Sequence, residues 1–570
     1  MNGEVYSDEH SMLSLSWKGP DYHTRVPQGA WVHPTRESLD YALDLLRSDR
    51  KGRAVAIVSK VLSLQDTDPT SKTYGIWPWL LEEPLTEMDP PDWNWADFCG
   101  ARLAQLLLEH SGDLPGDLIQ DTRTSLGHAA ASIFRRDVGP AYTNIAVMGA
   151  GVTLAAGELL GEPRLAGYGR RRLRNIVEHT EHHGGFNEYN SPTYTVVTLA
   201  ECERMLQLVR DPSARADAES LRRAAWQTIA EHYHPGTNQW AGPHSRAYSD
   251  RLDIGIAGYL SKRMGVEVRP HPAAGLRDRF EGTAPLPCPA GLVDRFRSPA
   301  SEETELHSTF IRRDGDDDST MGTTWMSGDA CLGSVNCDNL WDQRRVLLGY
   351  WRTEGDPAVV LRLRFLHDGH DFSSACARNA QSGPRILTAV GLLTGMGDAH
   401  HQLDPTSEGT FDAEDFRVRY QLVGEGVAGR ELGNGRFELS AGSHRAVIHT
   451  APGRFGPHEL AWELEQAEGR IYLDGVCYRG PRRRFDPAEV GEVVIVAAWN
   501  CCGPTNLGQR RVRRCASRTE GKWRRPGPLR EGSRSWLPPA HDRTSDTECT
   551  GSLRRYTNSS SATPSPLLPS

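Results

Sequence analysis

Apolar residues recur every three to four positions from Leu39 onward, then switch to simple alternation after about residue 273. Leu39, Ala42, Leu43 and Leu46 share one face of a helix beginning near Ser38. The same spacing returns over residues 54–64, 92–110 (with Leu103, Leu106 and Leu107), 118–135, 143–160, 164–182, 192–210, 214–232 and 250–264. The turns between them carry Gly, Pro, Asp or Asn. About nine helices with short connections predict stacked antiparallel hairpins. Their most economical closed form is an (α/α) toroid over residues 37–272, with an open helical array as the alternative. Beyond it, segments such as VVLRLRFL, FRVRYQLV and LAWELEQAEGRIYLDGV alternate apolar and polar residues, which predicts an antiparallel β-sandwich over residues 273–500. Residues 1–36 read as a polar lead-in with scattered aromatics. Residues 501–570 lack apolar periodicity and are rich in Arg, Ser, Pro and Gly, a composition that buries too little apolar surface to fold. Because the strand EVVIVAAW stops at Asn500, this tail is expected to be either a disordered basic tail or the product of a shifted reading frame.

One stretch interrupts the helical rhythm with chemistry. HTEHHGGFNEYNSPTY (residues 179–194) breaks one helix at Gly184-Gly185 and restarts the next at Ser191-Pro192, with Ser191 as the N-cap and Pro192 in the first turn. Between these signals lie Asn187, Glu188, Tyr189 and Asn190, with Tyr194 one turn into the new helix. Two phenols, two amides and a carboxylate are the inventory of a site that handles a polar substrate. The competing reading is a helix connection whose aromatics pack into the core.

Composition narrows the classes. The 570 residues suggest two large domains, and 38% hydrophobic and 24% charged residues are ordinary for a globular protein. The formal charge of −9 is spread thinly, and the first 500 residues carry no basic stripe with interleaved aromatics, which argues against nucleic acid as a partner. No segment reads as a run of about 18 apolar residues, so no membrane span is expected. The N-terminus lacks a basic start and an apolar stretch, which points to a cytoplasmic protein or to a start lying upstream. Eleven cysteines show no CxxC pair and no His/Cys ligand spacing, so reduced thiols are expected, with no metal site and no cofactor.

Two further polar segments fall near expected helix ends. Gly139 to Asn144 (with Tyr142 and Asn144) enters a small-residue helix, and Trp240 to Arg251 carries His244, Arg246, Tyr248 and Asp250. Loops at one end of stacked hairpins converge, so all three segments are expected to face one groove. The Trp- and Pro-rich stretch from Thr73 to Gly100 supplies aromatics; Trp77 and Trp79 read as core, while Trp93 and Trp95 are candidates to stack on sugar rings.

A helical-repeat domain followed by a large β-sandwich, with YTN at residues 142–144 and an aromatic turn some 45 residues later, resembles the heparinase II/III-like polysaccharide lyases of the (α/α)-toroid superfamily. The resemblance covers about residues 40–500. It implies β-elimination on a uronic-acid-containing glycan, an acidic polysaccharide or oligosaccharide. It implies Asn144 for neutralising the uronate carboxylate, Tyr189 or Tyr194 as base and acid, and His244 as helper, with Arg246 and Tyr248 beside it. Asn187, Glu188, Asn190, Trp93 and Trp95 complete the expected binding surface. Ile145 stands where many relatives place a histidine next to the asparagine.

The physics runs parallel. Abstracting a proton alpha to a carboxylate needs fixed donors to hold the developing charge. A tyrosine titrates near 10, so a phenolate base needs a cation such as Arg246 or Arg251 beside it. The main rival is a hydrolase on the same scaffold, with Glu188 and Asp250 or Asp253 as its carboxylate pair. A glycan-binding protein without turnover is the third reading. Elsewhere, His400-His401 and the pair His367 and His370 read as solvated loop histidines, and Asp314 to Asp318 as a solvated hairpin tip. The segment from Asn336 to Arg345 (with Asp338, Asn339 and Trp341) reads either as a self-bonded turn or as a loop reaching the groove.

Overall fold

Side chains three and four residues apart share a helix face, so the repeated apolar spacing makes helices that can bury one side. A computed structural model describes residues 5–19, 21–276, 284–297, 302–313, 319–393, 410–486, 490 and 495–502, the last stretch by its backbone. The helices are α1 (Thr35–Arg47), α2 (Lys51–Leu62), α3 (Trp95–Glu109), α4 (Gly116–Arg136), α5 (Thr143–Leu160), α6 (Pro163–His183), α7 (Pro192–Leu208), α8 (Pro212–His232), α9 (Ile254–Met264) and the short α10 (Ala290–Val293). Neighbours in sequence pair as hairpins. Odd-numbered helices α1 to α9 contact one another in order, as do α2, α4, α6 and α8, so the helical part is the double layer of an (α/α) toroid. The N-termini of the odd helices therefore lie at one end.

Helix α5 is long and apolar enough to cross a membrane, contrary to the expectation that no segment would be. It is instead the centre of the helical part, in contact with α3, α4, α6 and α7. Its small residues permit that approach: a Cβ at Gly157 would come within 2.4 Å of the Ala166 backbone.

The strands begin earlier than the lead-in reading expected. β1 (Val5–Ser7), β2 (Met12–Ser16) and β3 (Trp31–Val32) form a three-stranded antiparallel sheet, with Met12 buried against α1 and α2. A hairpin of β4 (Tyr233–His234) and β5 (Gln239–Trp240) follows α8. Then come β6 (Thr304–Ile311), β7 (Thr320–Met326), β8 (Ala330–Val335), β9 (Cys337–Asn339), β10 (Leu347–Trp351), β11 (Val359–His367), β12 (His370–Asp371), β13 (Ala375–Ser382) and β14 (Arg385–Leu392). They are followed by β15 (Phe411–Val423), β16 (Val427–Gly433), β17 (Arg436–Ala441), β18 (His444–Thr450), β19 (Arg454–Phe455), β20 (His458–Glu459), β21 (Ala461–Ala467), β22 (Arg470–Phe485) and β23 (Ile495–Cys502).

Among the described residues these make a sandwich of a nine-stranded sheet (β21-β22-β15-β11-β10-β8-β7-β6, with β12 on β11) and a seven-stranded sheet (β16-β17-β18-β23-β14-β13-β9). One core lies between them, with Leu363, Phe365, Val418 and Tyr420 from the first sheet and Ala377, Ile386, Leu439 and Ile448 from the second. β10 and β11 are buried on both faces, because their outer face meets the helical part at Ala241 through Leu348, Tyr350 and Val360. The two polar positions of VVLRLRFL, Arg362 and Arg364, are met there by Asp250 and Asp371.

Two expectations change. β23 runs past the expected stop at Asn500 to Cys502 and is an interior strand, bonded to β18 on one side and β14 on the other. His367 is not solvated: it ends β11, is buried, and packs on Phe416 and Phe372. His400, His401, Asp314 to Asp318 and residues 503–570 lie outside the described residues.

Candidate active site

The α6–α7 turn is built from local rules and then laced to distant chain. Gly184 ends α6 with φ of 86°, a left-handed conformation that suits glycine. Ser191 caps α7, its Oγ accepting from the Tyr194 backbone N–H at 3.1 Å. Asn190, also left-handed at φ 43°, donates its amide to the carbonyls of Ala241 (2.9 Å) and Pro243 (2.8 Å). Ser245 Oγ donates to the Tyr189 carbonyl (2.7 Å), and Ser191 Oγ to the Arg246 carbonyl (2.6 Å). His244 then bridges by its backbone to Arg345 of the sandwich. The turn, the 240–248 segment and the loop before β10 therefore form one joint at the N-terminal end of the odd helices.

Arg246 is the hub of the part that solvent reaches. Its guanidinium donates to Glu188 Oε1 (3.0 Å), Tyr194 Oη (3.0 Å) and Gln343 Oε1 (3.0 Å). It lies 4.0 Å over the Tyr194 ring, 5.5 Å from Trp341 and 6.0 Å from Tyr142. The phenols of Tyr194 and Tyr248 are hydrogen-bonded at 2.5 Å. On the other flank Asn94 donates to Tyr142 Oη (3.3 Å) and accepts from Arg136 (2.6 Å). Trp341 donates to Tyr22 Oη (2.9 Å), which donates to Asp342 (2.7 Å). Tyr22, Asn94, Arg136, Tyr142, Tyr194, Arg246, Tyr248 and Asp342 are all half-buried, so this polar cluster reaches the surface.

The electrostatics of the cluster favour an anion. Burial raises Tyr142 to about 12; Arg246 and Arg136 pull it back, while Glu188 and Asp92 push it up. Burial likewise raises Tyr194 well above a phenol's usual value, with Arg246 opposing. Both phenols are thus protonated near neutrality, with Arg246 beside each and Arg136 also acting on Tyr142. The N-termini of α3, α5 and α7, which lie at the same cluster, add partial positive charge.

A family model described as "Domain of unknown function (DUF8769)" matches residues 15–260. No curated protein matches the chain. Among solved structures, "Crystal Structure of Heparinase III" is similar with a TM-score of 0.43 and 9% identity, over 82% of this chain and 77% of that one. Two structures of the heparinase III-BT4657 gene product, one with methylated lysines, give TM-scores of 0.30 and 0.31 at 10% identity. They cover 82% of this chain and 77% and 78% of their own.

The structure brings Tyr194, Arg246 and Tyr248 together in this cluster and withdraws several other expected residues from it. Tyr189 is 1% exposed; its ring stacks on Phe310 at 4.3 Å and its hydroxyl donates to Asp338 (2.6 Å). It ties the turn to the sandwich and is out of a substrate's reach. Asn144 is fully buried, its backbone N–H and side-chain amide both donating to Glu188 Oε2 at 2.9 and 2.6 Å. Its expected partner, a substrate carboxylate, has no access. His244 is 2% exposed, with Nδ1 on the Asn190 carbonyl at 2.7 Å. Glu188 and Asn190 are buried too, and act as internal braces. Asn187 is half-buried, with a buried carbonyl oxygen. Trp95 belongs to the core, its indole N–H on Thr35 Oγ1 (2.8 Å), whereas Trp93 is half-buried beside Asn94.

The neighbouring carboxylates are also committed. Glu188 holds Asn144 and Arg246, Asp250 is clamped by Arg345 (2.5 Å) and Arg362 (3.0 Å), and Asp253 caps α9 through the Gly255 N–H (2.7 Å). Arg251, expected beside a tyrosine, instead donates to the carbonyls of Ala358 and Val423. Tyr22, Asn94 and Arg136 were not predicted for this cluster. Trp341 and Gln343 both lie in the NCDNLWDQRR segment, and of its two readings the structure bears out the loop that reaches the groove.

Burial drives the His244 imidazole down to about 3. An unfolded histidine titrates near 6.5, so the unfolded chain gains this proton first as pH falls. The stability contributed by neutral His244 is complete above about pH 6.5 and is lost as pH falls towards 3, at up to ~1.4 kcal/mol per pH unit. Unfolding measured from pH 7 to 4 is expected to show this slope in the native protein. His244→Asn, which keeps a donor for the Asn190 carbonyl, is expected to flatten it; an unchanged slope would refute the assignment.

Proposed function

We propose that this cluster is the active site of a polysaccharide lyase that cleaves a uronic-acid-containing glycan by β-elimination. The observation that carries this reading is the Tyr194–Tyr248 phenol pair, bonded at 2.5 Å under Arg246. It supplies two proton-moving groups and a cation at a place where the carboxylates a hydrolase needs are committed elsewhere.

In this reading Arg246 and Arg136 receive the uronate carboxylate and hold the charge that builds on it. Tyr248, entering the cycle as the phenolate and accepting the Tyr194 hydroxyl hydrogen, takes the proton alpha to the carboxylate. The electrons left behind form the new carbon–carbon double bond as the bond to the β-oxygen breaks. Tyr194, kept protonated by burial, gives its proton to the departing oxygen. Proton transfer across the short phenol–phenol bond then returns the pair to its starting state, with Arg246 stabilising the transient Tyr194 phenolate. Glu188 orients the guanidinium from behind.

The test is a panel of uronate-containing glycans, followed by ultraviolet absorbance of the conjugated double bond that only elimination creates. The expected result is that absorbance and new chain ends appear together. New reducing ends without absorbance would make the protein a hydrolase, and saturable binding without either would make it a glycan-binding protein.

A further inference from the structure

Two thiols face each other at the edge of the seven-stranded sheet. Cys337 on β9 and Cys376 on β13 have Sγ atoms 3.6 Å apart, one thiol donating to the other. The register pairs Cys337 with Arg378 and Asn339 with Cys376, so the cysteines lie diagonally on one face of the sheet. Cys376 is buried and Cys337 half-buried, which gives a small reagent one approach.

The surroundings favour reaction at Cys337. The hydrogen bond from Cys376 lowers its pKa, and Arg378 and Arg313 support the thiolate. By contrast Cys99, Cys202, Cys288 and Cys477 are buried, and burial raises all four, so their thiols are protonated and inert.

We propose that Cys337 and Cys376 form a redox site that closes to an intramolecular disulfide on two-electron oxidation by a peroxide. The Cys337 thiolate attacks one peroxide oxygen, breaks the O–O bond and becomes a sulfenic acid, while the other oxygen leaves as hydroxide and takes a proton to become water. The Cys376 sulfur then attacks the sulfenic sulfur; the S–O bond breaks, the S–S bond forms, and a second water leaves with the Cys376 proton. Two thiols are oxidised by two electrons and one peroxide is reduced to two waters.

Closure from 3.6 Å to a bond of about 2.05 Å requires β9 to shift towards β13. β9 has three residues and is the edge strand of its sheet, so one flank of it is unconstrained by ladder bonds. The shift would be felt at Asp338, the next residue, which holds the Tyr189 hydroxyl (2.6 Å) and Arg344 (2.6 Å). The disulfide does not depend on the reading of the Arg246 cluster.

The test exposes the full-length protein to hydrogen peroxide, blocks remaining thiols, and maps peptides with and without reductant. The expected result is a Cys337–Cys376 cross-linked peptide, a loss of two titratable thiols and a mass about 2 Da lower, all reversed by dithiothreitol. Cys376→Ser is expected to leave a sulfenic acid on Cys337 that a dimedone probe captures. Over-oxidation of Cys337 without a cross-link, cross-links that map elsewhere, or no change in mass would each overturn the proposal. Should the variant fail to fold, the native peptide map still decides.

Discussion

Tyr194→Phe and Tyr248→Phe each leave a folded protein whose turnover of an acidic glycan falls by about 10²–10⁴-fold, with little change in KM. The fold survives because the rings and their packing are kept, and because Arg246 retains Glu188 and Gln343 as partners when the Tyr194 hydroxyl is gone. KM survives because the groups assigned to carboxylate binding, Arg246 and Arg136, are untouched. The double variant is expected to lose no more than either single one, since the two phenols act as a unit and removing one breaks the proton path. Tyr189→Phe provides the contrast. Its hydroxyl is buried on Asp338, so the variant should lose stability and keep its turnover once folded. A Tyr189→Phe protein that is stable and inactive, beside an active Tyr194→Phe, would return the chemistry to the buried phenol.

The contrast between these two tyrosines shows what sequence could and could not convey. They stand five residues apart, Tyr189 in the turn and Tyr194 in the first turn of α7, and share the same polar neighbours. The difference comes from Phe310 and Asp338, more than a hundred residues away, which seal Tyr189 against the sandwich. The helices were legible because each is decided by spacing and by its own caps. Ser191 and Pro192 begin α7, and Gly184 ends α6, as those residue types favour. The sandwich was legible from alternation, β11 included, although that strand is buried on both faces. The three-stranded sheet of the lead-in was not, since β1 and β3 are two or three residues long and too short to show a period. The residues Tyr22, Asn94 and Arg136 come from a tight turn, a helix N-cap and a helix end. Each is unremarkable in its own segment and meaningful only after the hairpins stack. The reverse error arose for Asn144 and Glu188: their polar side chains satisfy each other, and a buried polar pair looks in sequence like a binding group.

Asp250→Asn is expected to destabilise the protein by about 3–5 kcal/mol. Burial disfavours the ionised carboxylate, but Arg362, Arg345 and Arg364 together overcome that and hold its pKa far below the usual carboxylate range. The side chain is ion-paired with Arg345, 2.5 Å from Nε, and accepts from Arg362 Nη1 at 3.0 Å, and the backbone carbonyl accepts from Tyr350 Oη at 2.6 Å. The arginine side chains are only 4% and 7% exposed, so loss of the carboxylate strands buried charge in place of breaking a surface pair. Arg362 keeps Asp371 at 3.3 Å; Arg345 keeps hydrogen bonds to the carbonyls of Asp342 and Arg344, with the Asp371 and Asp342 carboxylates acting on it at longer range. The larger share of the loss therefore falls on Arg345, and a double-mutant cycle with Arg345→Gln should recover much of it. The pH dependence has a definite sign. Because the folded pKa is depressed, the contribution is complete above the ordinary aspartate value of about 4 and is lost as pH falls below it. Asp250 also lies two residues after Tyr248, and its clamp fixes the segment that carries that phenol against the sandwich. Denaturant unfolding reads the first effect, and turnover of the folded fraction reads the second. A loss below about 1 kcal/mol, the size of an exposed ion pair, would show that the clamp does not hold the helical and strand-rich parts together.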